Sequence, residues 1–320
     1  MKSEPEAEFR AAYGIAPRWF GVAPGRVNLI GEHVDYMGGA VLPAAVDRYV
    51  GLAGAPAAQW ELRSEVEGGQ DYLAALGTEL GVAPQWVAAS ANLPARFGMS
   101  SSAARLVAAA AGLKPEMDGR QAAQACQRAE QKATGVMVGI MDQFASALGR
   151  RGHCILLDCA SLDYRYVPFP DDLAIVVIDS GVRRELSKTP YNRRREEALS
   201  RLPRRMRHVD SEKQRVAEFV RALENGERDR LGSLLRESHV SLRDDFEVST
   251  PEVDAIVERA WASPGCLGAR IMGAGFGGSL LALVERGAET AFAAAIGAPT
   301  INCRTADGAF VAGRAGAASS

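Results

Sequence analysis

The chain has 320 residues, 47% hydrophobic and 24% charged, with a formal net charge of −2 at pH 7. This is the composition of an ordinary soluble globular protein, long enough for two domains and a sizeable core. The near-neutral balance excludes a general electrostatic attraction to nucleic acid or to anionic membranes.

The amino terminus is charged and lacks an apolar centre, so a secretory signal is not expected. No uncharged apolar run reaches the roughly 18 residues that a membrane span requires. Arg270 and the surrounding glycines interrupt the most hydrophobic stretch, residues 267–284. Five cysteines are scattered without a CxxC pair, which points to buried thiols in a reducing cytoplasm and not to structural zinc.

In chain order, Glu4 to Tyr13 is predicted as a short amphipathic helix, and Trp19 to Ala23 as a strand that Pro24 and Gly25 break. A polar cluster follows: Arg26, Glu32, His33 and Asp35, with Gly31, Gly38 and Gly39 letting the backbone turn tightly. Such a set can hydrogen-bond several hydroxyls at once, or it can be a polar surface loop after a strand. Val41 to Leu52 is a second predicted strand. Residues 54–69 carry little pattern, and there is no repeat or low-complexity linker.

Ser100-Ser101-Ser102 precede an alanine-rich helix predicted over Ala103 to Gly112. Small hydroxyl residues there are capping chemistry. They also leave backbone N–H groups and the positive dipole end facing outward, as an anion site requires. A helix over Arg120 to Ala133 carries Glu130 near its end. Asp142 lies in an apolar, glycine-flanked run from Gly135 to Ser146 and is either structural or held dry for a purpose. Strands are predicted over Gly152 to Cys159 and Leu173 to Asp179, with a domain boundary between them, near Pro168 to Asp172. The domains are then 1–170 and 171–305.

The arginine-rich run from Arg193 to Arg207 is interleaved with acids and is expected to be a solvated helical face. Helices are predicted from Lys213 to Leu242 and from Pro251 to Trp261. A glycine-rich turn, Gly273-Ala274-Gly275-Phe276-Gly277-Gly278, lies between apolar segments.

Four strings now combine: Pro24-Gly25-Arg26-Val27-Asn28-Leu29-Ile30-Gly31-Glu32-His33, Gly98-Met99-Ser100-Ser101-Ser102-Ala103, Gly139-Ile140-Met141-Asp142-Gln143-Phe144 and the glycine turn at 273–278. Together they closely resemble the motifs of galactokinases, members of the GHMP family of small-molecule kinases, and the resemblance runs from about Arg18 to about Val311. There are departures. Arg96 stands where the family usually has glycine, with Phe97 after it, and Met272 replaces a threonine. The segment between Pro43 and Pro94 is also shorter than the family leads one to expect, and its Asp71-Tyr72-Leu73 only faintly resembles an Asn-Tyr-Val element.

The resemblance implies an α+β fold, the two-domain GHMP kinase architecture. Its N-terminal domain is like domain 2 of ribosomal protein S5, its C-terminal domain is ferredoxin-like, a terminal strand over residues 306–320 returns to the first domain, and the active site lies in the cleft between the two. It implies that ATP is a co-substrate whose phosphates lie on Gly98, Met99, Ser100, Ser101, Ser102 and Ala103. Ser102 and Glu130 are then the Mg²⁺ pair, hard oxygen donors of the type that cation prefers. Asp142 and Arg26 are the implied catalytic residues. A guanidinium beside a carboxylate favours its ionised form but makes it a weaker base, so full proton abstraction and charge stabilisation with hydroxyl orientation both stay open. Glu32, His33, Asp35, Gly139 and Tyr191, with Asp142, are the implied hexose-binding set, and the implied reaction is phosphorylation of the anomeric hydroxyl of α-D-galactose. The implied protein is a cytoplasmic monomer that takes small-molecule substrates, and neither nucleic acid nor membrane. Alternatives are a kinase of the same fold for arabinose, a uronic acid or an N-acetylhexosamine, and a non-catalytic sugar sensor.

Overall fold

A computed structural model describes residues 4–64, 69–94, 97–183 and 190–310. Arg96 and residues 311–320, named above, lie outside the described residues.

Helix α1 (Glu4–Tyr13) leads into β1 (Trp19–Asn28). Pro24 and Gly25 do not end this strand, contrary to the sequence expectation. They sit where its register against β3 (Pro43–Pro56) shifts, so the strand continues through Arg26 to Asn28. The reason is geometric: β3 carries two additional residues, Asp47 and Arg48, opposite that point, and a bulge absorbs the proline that a regular ladder would reject. The sheet is completed by β4 (Glu61–Arg63) and β5 (Gln85–Ala91), joined through helix α2 (Gln70–Leu80), in the order β1-β3-β5-β4. Strand β2 (Ala40–Val41) instead joins β6 (His153–Asp158) and β7 (Tyr164–Pro168) in a three-stranded antiparallel sheet.

Helices α3 (Ser101–Leu113), α4 (Gly119–Thr134) and α5 (Met141–Leu148) cover the first sheet. Contact between α3 and β1 is backbone to backbone. A Cβ at Gly21 would lie 1.8 Å from the Ala108 carbonyl oxygen, which is why this position takes glycine. Asp118 caps α4 by accepting from Arg120 and Gln121. The serines do not cap α3 in this way: Ser100 makes no cap hydrogen bond, because its hydroxyl is used elsewhere.

The second half runs β8 (Leu173–Asp179), α6 (Tyr191–Leu199), α7 (Pro203–Asn225), α8 (Arg228–Asp244), α9 (Pro251–Trp261), β9 (Cys266–Ile271), β10 (Ser279–Glu285), α10 (Glu289–Ile296) and β11 (Thr300–Cys303). Its antiparallel sheet has the order β11-β8-β10-β9, the ferredoxin-like arrangement of the implied fold. The helix expected from Lys213 to Leu242 is two helices, because Gly226 adopts φ +72° and closes α7 with a left-handed cap. Nor is the arginine run simply a solvated face. Arg194 and Arg205 are buried, and both pair with Glu197 and Glu247. The tail returns through bridges from Thr305 to Val46 and from Phe310 to Val22. Among the described residues no helix is long and apolar enough to cross a membrane, and all five cysteines are free thiols.

Since β1 has no room for a side chain under α3, Gly21→Ala is expected to lower unfolding stability by about 1–3 kcal/mol. A urea titration checks this, as a lower midpoint at unchanged slope.

Candidate active site

Arg26 leaves the end of β1 buried to all but 6% of its surface. Its Nε and Nη2 donate to the two carboxylate oxygens of Asp142 at 2.7 and 2.8 Å, and Nη1 donates to the Gly98 carbonyl at 2.9 Å. The backbone N–H of Arg26 donates to the Met99 carbonyl at 3.1 Å. A parallel fork of this kind fixes the carboxylate's plane as well as its position. Asp142 lies in the first turn of α5 and also accepts from the Ser100 hydroxyl. Ser100 adopts φ +56°, a conformation costly for a side-chain-bearing residue, and it is held there by this bond and by the start of α3.

In the first turn of α3, the Ser102 hydroxyl donates to Glu130 Oε1 at 2.8 Å, and Gln143 Nε2 donates to Glu130 Oε2 at 2.5 Å. Burial raises the Glu130 carboxyl above its ordinary range, while these two hydrogen bonds oppose the rise. Gln143 Oε1 is buried beside them with no hydrogen-bond partner. Gly98 to Ser102, with Leu93 and Pro94, line a hollow of about 240 Å³. Met99 is buried there, and Ala103 lies buried in the first turn of α3, lining neither this hollow nor its neighbour.

The adjoining cavity, about 920 Å³, is lined by Arg26, Glu32, His33, Asp35, Asp142 and Tyr191, among others that include Gly98, Glu130 and Gly139. Glu32 and His33 are buried, so the signature is not a surface loop. His33 adopts φ +59°, stacks on Phe246 with ring centroids 4.5 Å apart, and shares a 3.1 Å hydrogen bond between Nδ1 and the Tyr36 hydroxyl. Asp35 is half-buried and its carboxyl is pushed up to about 6, chiefly by burial. Gly139 packs directly on it: a Cβ there would lie 2.0 Å from Asp35 Oδ2. Tyr191 stands at the start of α6, its hydroxyl pushed up to about 12 by burial and by Asp35.

Several contributors escape the motif reading. Arg270 on β9, fully buried, donates to the carbonyls of Asn28, Leu29 and Ile271 and to Glu32 Oε1. His208 on α7 donates from Nε2 to the Glu32 carbonyl at 3.0 Å while its Nδ1 accepts from the Ser241 hydroxyl, the tautomer these partners require. Burial lowers the His208 pKa and so favours that neutral form. Glu212 accepts from the Gly31 N–H at 2.9 Å, from Ser238 and from Arg215. Burial pushes the Glu212 carboxyl up, but the guanidiniums of Arg215 and Arg270 help hold it below its ordinary value. A signal for Arg270 exists in the sequence. A lone cation inside an apolar strand needs buried acceptors, and here they are the backbone and carboxylate of the signature loop.

Comparison with known proteins places these motifs in a family. A galactokinase galactose-binding signature matches residues 7–56, the GHMP kinases N terminal domain matches 55–150, and the GHMP kinases C terminal region matches 219–299. The galactokinase of Thermococcus kodakarensis is 39% identical over 314 residues, covering 83% of this chain and 89% of the relative. That of Roseiflexus sp. is 36% identical over 350 residues, covering 90% and 89%. The crystal structure of Lactococcus lactis galactokinase complexed with galactose superposes with a TM-score of 0.88 at 27% identity, covering 96% of this chain and 98% of that one. A mevalonate kinase from L. major superposes with a TM-score of 0.73 at 20% identity and shares the fold.

Because the folded state holds the Asp35 proton more tightly than the unfolded chain, whose ordinary value is 3.8, ionised Asp35 opposes folding. That burden is absent below about pH 4 and fully present above about pH 6. Relative to Asp35→Asn, the parent protein is expected to lose about 2 kcal/mol of stability between pH 4 and pH 7.5. Paired urea titrations at the two pH values read this difference directly.

Proposed function

The chain belongs to the galactokinase family of GHMP kinases, and from that premise we propose how its residues transfer the γ-phosphoryl group of ATP to the anomeric hydroxyl of α-D-galactose, giving galactose 1-phosphate and ADP. The carrying observation is the Arg26–Asp142 fork, set between the serine loop on one side and the cavity walled by Glu32, His33 and Asp35 on the other.

Phosphoryl transfer needs little covalent help from the protein and much positioning and charge neutralisation. Asp142 has about four lone-pair positions. Two face Arg26 and one faces Ser100, so a single acceptor position is left for the substrate hydroxyl. In this reading it orients the anomeric oxygen and takes up its proton as the phosphoryl group leaves ATP. Arg26 spends three N–H groups on Asp142 and Gly98, and the rest of its five donors are available to the transferring phosphoryl oxygens. Glu32 and Asp35 accept from further sugar hydroxyls, and His33 and Tyr191 wall the ring. A pocket that pairs several hydroxyls penalises any sugar that lacks or inverts one of them.

Ser102 and Glu130 fit a Mg²⁺ ion: a hydroxyl and a carboxylate are already in register, and the unpartnered Gln143 Oε1 is a further hard oxygen beside them. When bound there, Mg²⁺ neutralises phosphate charge. The backbone N–H groups at the start of α3 cradle the phosphates themselves. In this reading the chain divides near residue 170, since both sheets built around β1 and β6 precede that point and the β8 sheet follows it.

An ADP-release assay with Mg-ATP and a panel of free sugars tests the proposal. Galactose is expected to be the preferred acceptor, and Asp142→Asn is expected to lose turnover by about 10²–10⁴-fold while staying folded. A different sugar preferred more than about tenfold in kcat/KM removes the substrate assignment. Undiminished turnover in the variant removes the role given to Asp142.

A further inference from the structure

We propose that Arg270 is a positioning residue for the sugar subsite, aiming the Glu32 carboxylate from the opposite half of the molecule. This rests on the galactose reading above and deepens it.

Arg270 sits on β9 with its side chain fully buried. It reaches across to the end of β1, where Nε donates to the Leu29 carbonyl at 2.9 Å and Nη2 to the Asn28 carbonyl at 2.5 Å. Its Nη1 donates to the Ile271 carbonyl at 2.7 Å and to Glu32 Oε1 at 3.2 Å. The same Oε1 accepts the backbone N–H of Gly273 at 2.9 Å. Two donors therefore hold one oxygen of Glu32, while the other is left for a ligand in the cavity that Glu32 lines. A carboxylate otherwise rotates freely about its last bond; fixing one oxygen through two donors sets where the second points.

Charge alone does not explain this arrangement. A lysine supplies the same charge but, as a point donor, cannot reach two strand-end carbonyls and a carboxylate along fixed, planar directions. The fork holds Asn28, Leu29 and Glu32 against one rigid group, so the geometry of the sugar wall is set by β9. On the nucleotide side the serine loop is held instead by Arg26 and Asp142, both from the first half. Disturbing Arg270 therefore affects the two substrates unequally, which a general loss of stability would not.

The test is calorimetric titration of galactose alone, with the ATP KM measured in parallel, for Arg270→Lys, for Glu32→Gln and for the double variant Arg270→Met/Glu32→Gln. The single Arg270→Met leaves a buried carboxylate without its cation and is expected to fold poorly, whereas the double variant removes both charges and keeps the volume filled. Galactose binding is expected to weaken at least tenfold in Arg270→Lys relative to the parent, and further in the folded double variant than in Glu32→Gln alone, with the ATP KM within twofold of the parent. The proposal is overturned by a folded Arg270→Lys that binds galactose within twofold of the parent, by a double variant that binds it as well as Glu32→Gln does, or by equal losses for sugar and ATP. The parent titration separates this from the substrate assignment. A parent that prefers another sugar corrects that assignment and becomes the reference, and the tenfold loss is then read with the preferred sugar.

Discussion

Arg26 and Asp142 are 116 positions apart in the chain, and their doubly hydrogen-bonded pairing fixes how β1, the serine loop and α5 sit on one another. An ion pair this enclosed adds little net stability, because removing both charges from water costs about as much as their attraction returns. Its value is directional. The guanidinium plane orients the carboxylate and its third nitrogen holds the Gly98 carbonyl, while Ser100 supplies the remaining bond to Asp142. One rigid group thus sets the relation between the phosphate loop and the acceptor of the sugar proton, a relation on which in-line transfer depends.

Much of this was legible in the sequence, and the failures have physical causes. Helix α9 was readable to the residue because Thr250 and Pro251 mark its start by rules that need no tertiary contact. The apolar run of β8 was readable for the same reason, since a strand buried on both faces shows itself by composition. Strands β5 and β7 and helix α2 were missed: they are short or half-buried, and their small and polar residues carry no clean period. The break expected at Pro24 failed because local propensity yielded to the long ladder with β3. The apparent single helix after Lys213 conceals a glycine cap at Gly226 that periodicity cannot register.

The site divides in the same way. The site residues of the motifs, Ala103 excepted, line two adjoining hollows that share Gly98, and their types and spacing identify them in the sequence. The supports do not reveal themselves so easily. Arg270, His208 and Glu212 hold the signature loop through its backbone groups, and such bonds leave no local pattern because any loop sequence presents the same carbonyls and N–H groups. Ser100 is a related case: as a serine before a helix it resembles a cap, whereas its bond to Asp142 is a tertiary fact.

The two-residue bulge in β3 has a consequence for how the protein is made. Asp47 and Arg48, unmatched by β1, bind the far end of the chain instead: the Asp47 carboxylate accepts from the Arg304 N–H at 3.0 Å, 257 positions downstream, and Arg48 donates to the Asn302 carbonyl. During synthesis the first sheet therefore emerges with an open seam that stays unfilled until Asn302 and Arg304 have left the ribosome. Contacts of such separation form late and slowly. The enzyme's first half is completed by residues translated 254 and 257 positions after the bulge they close.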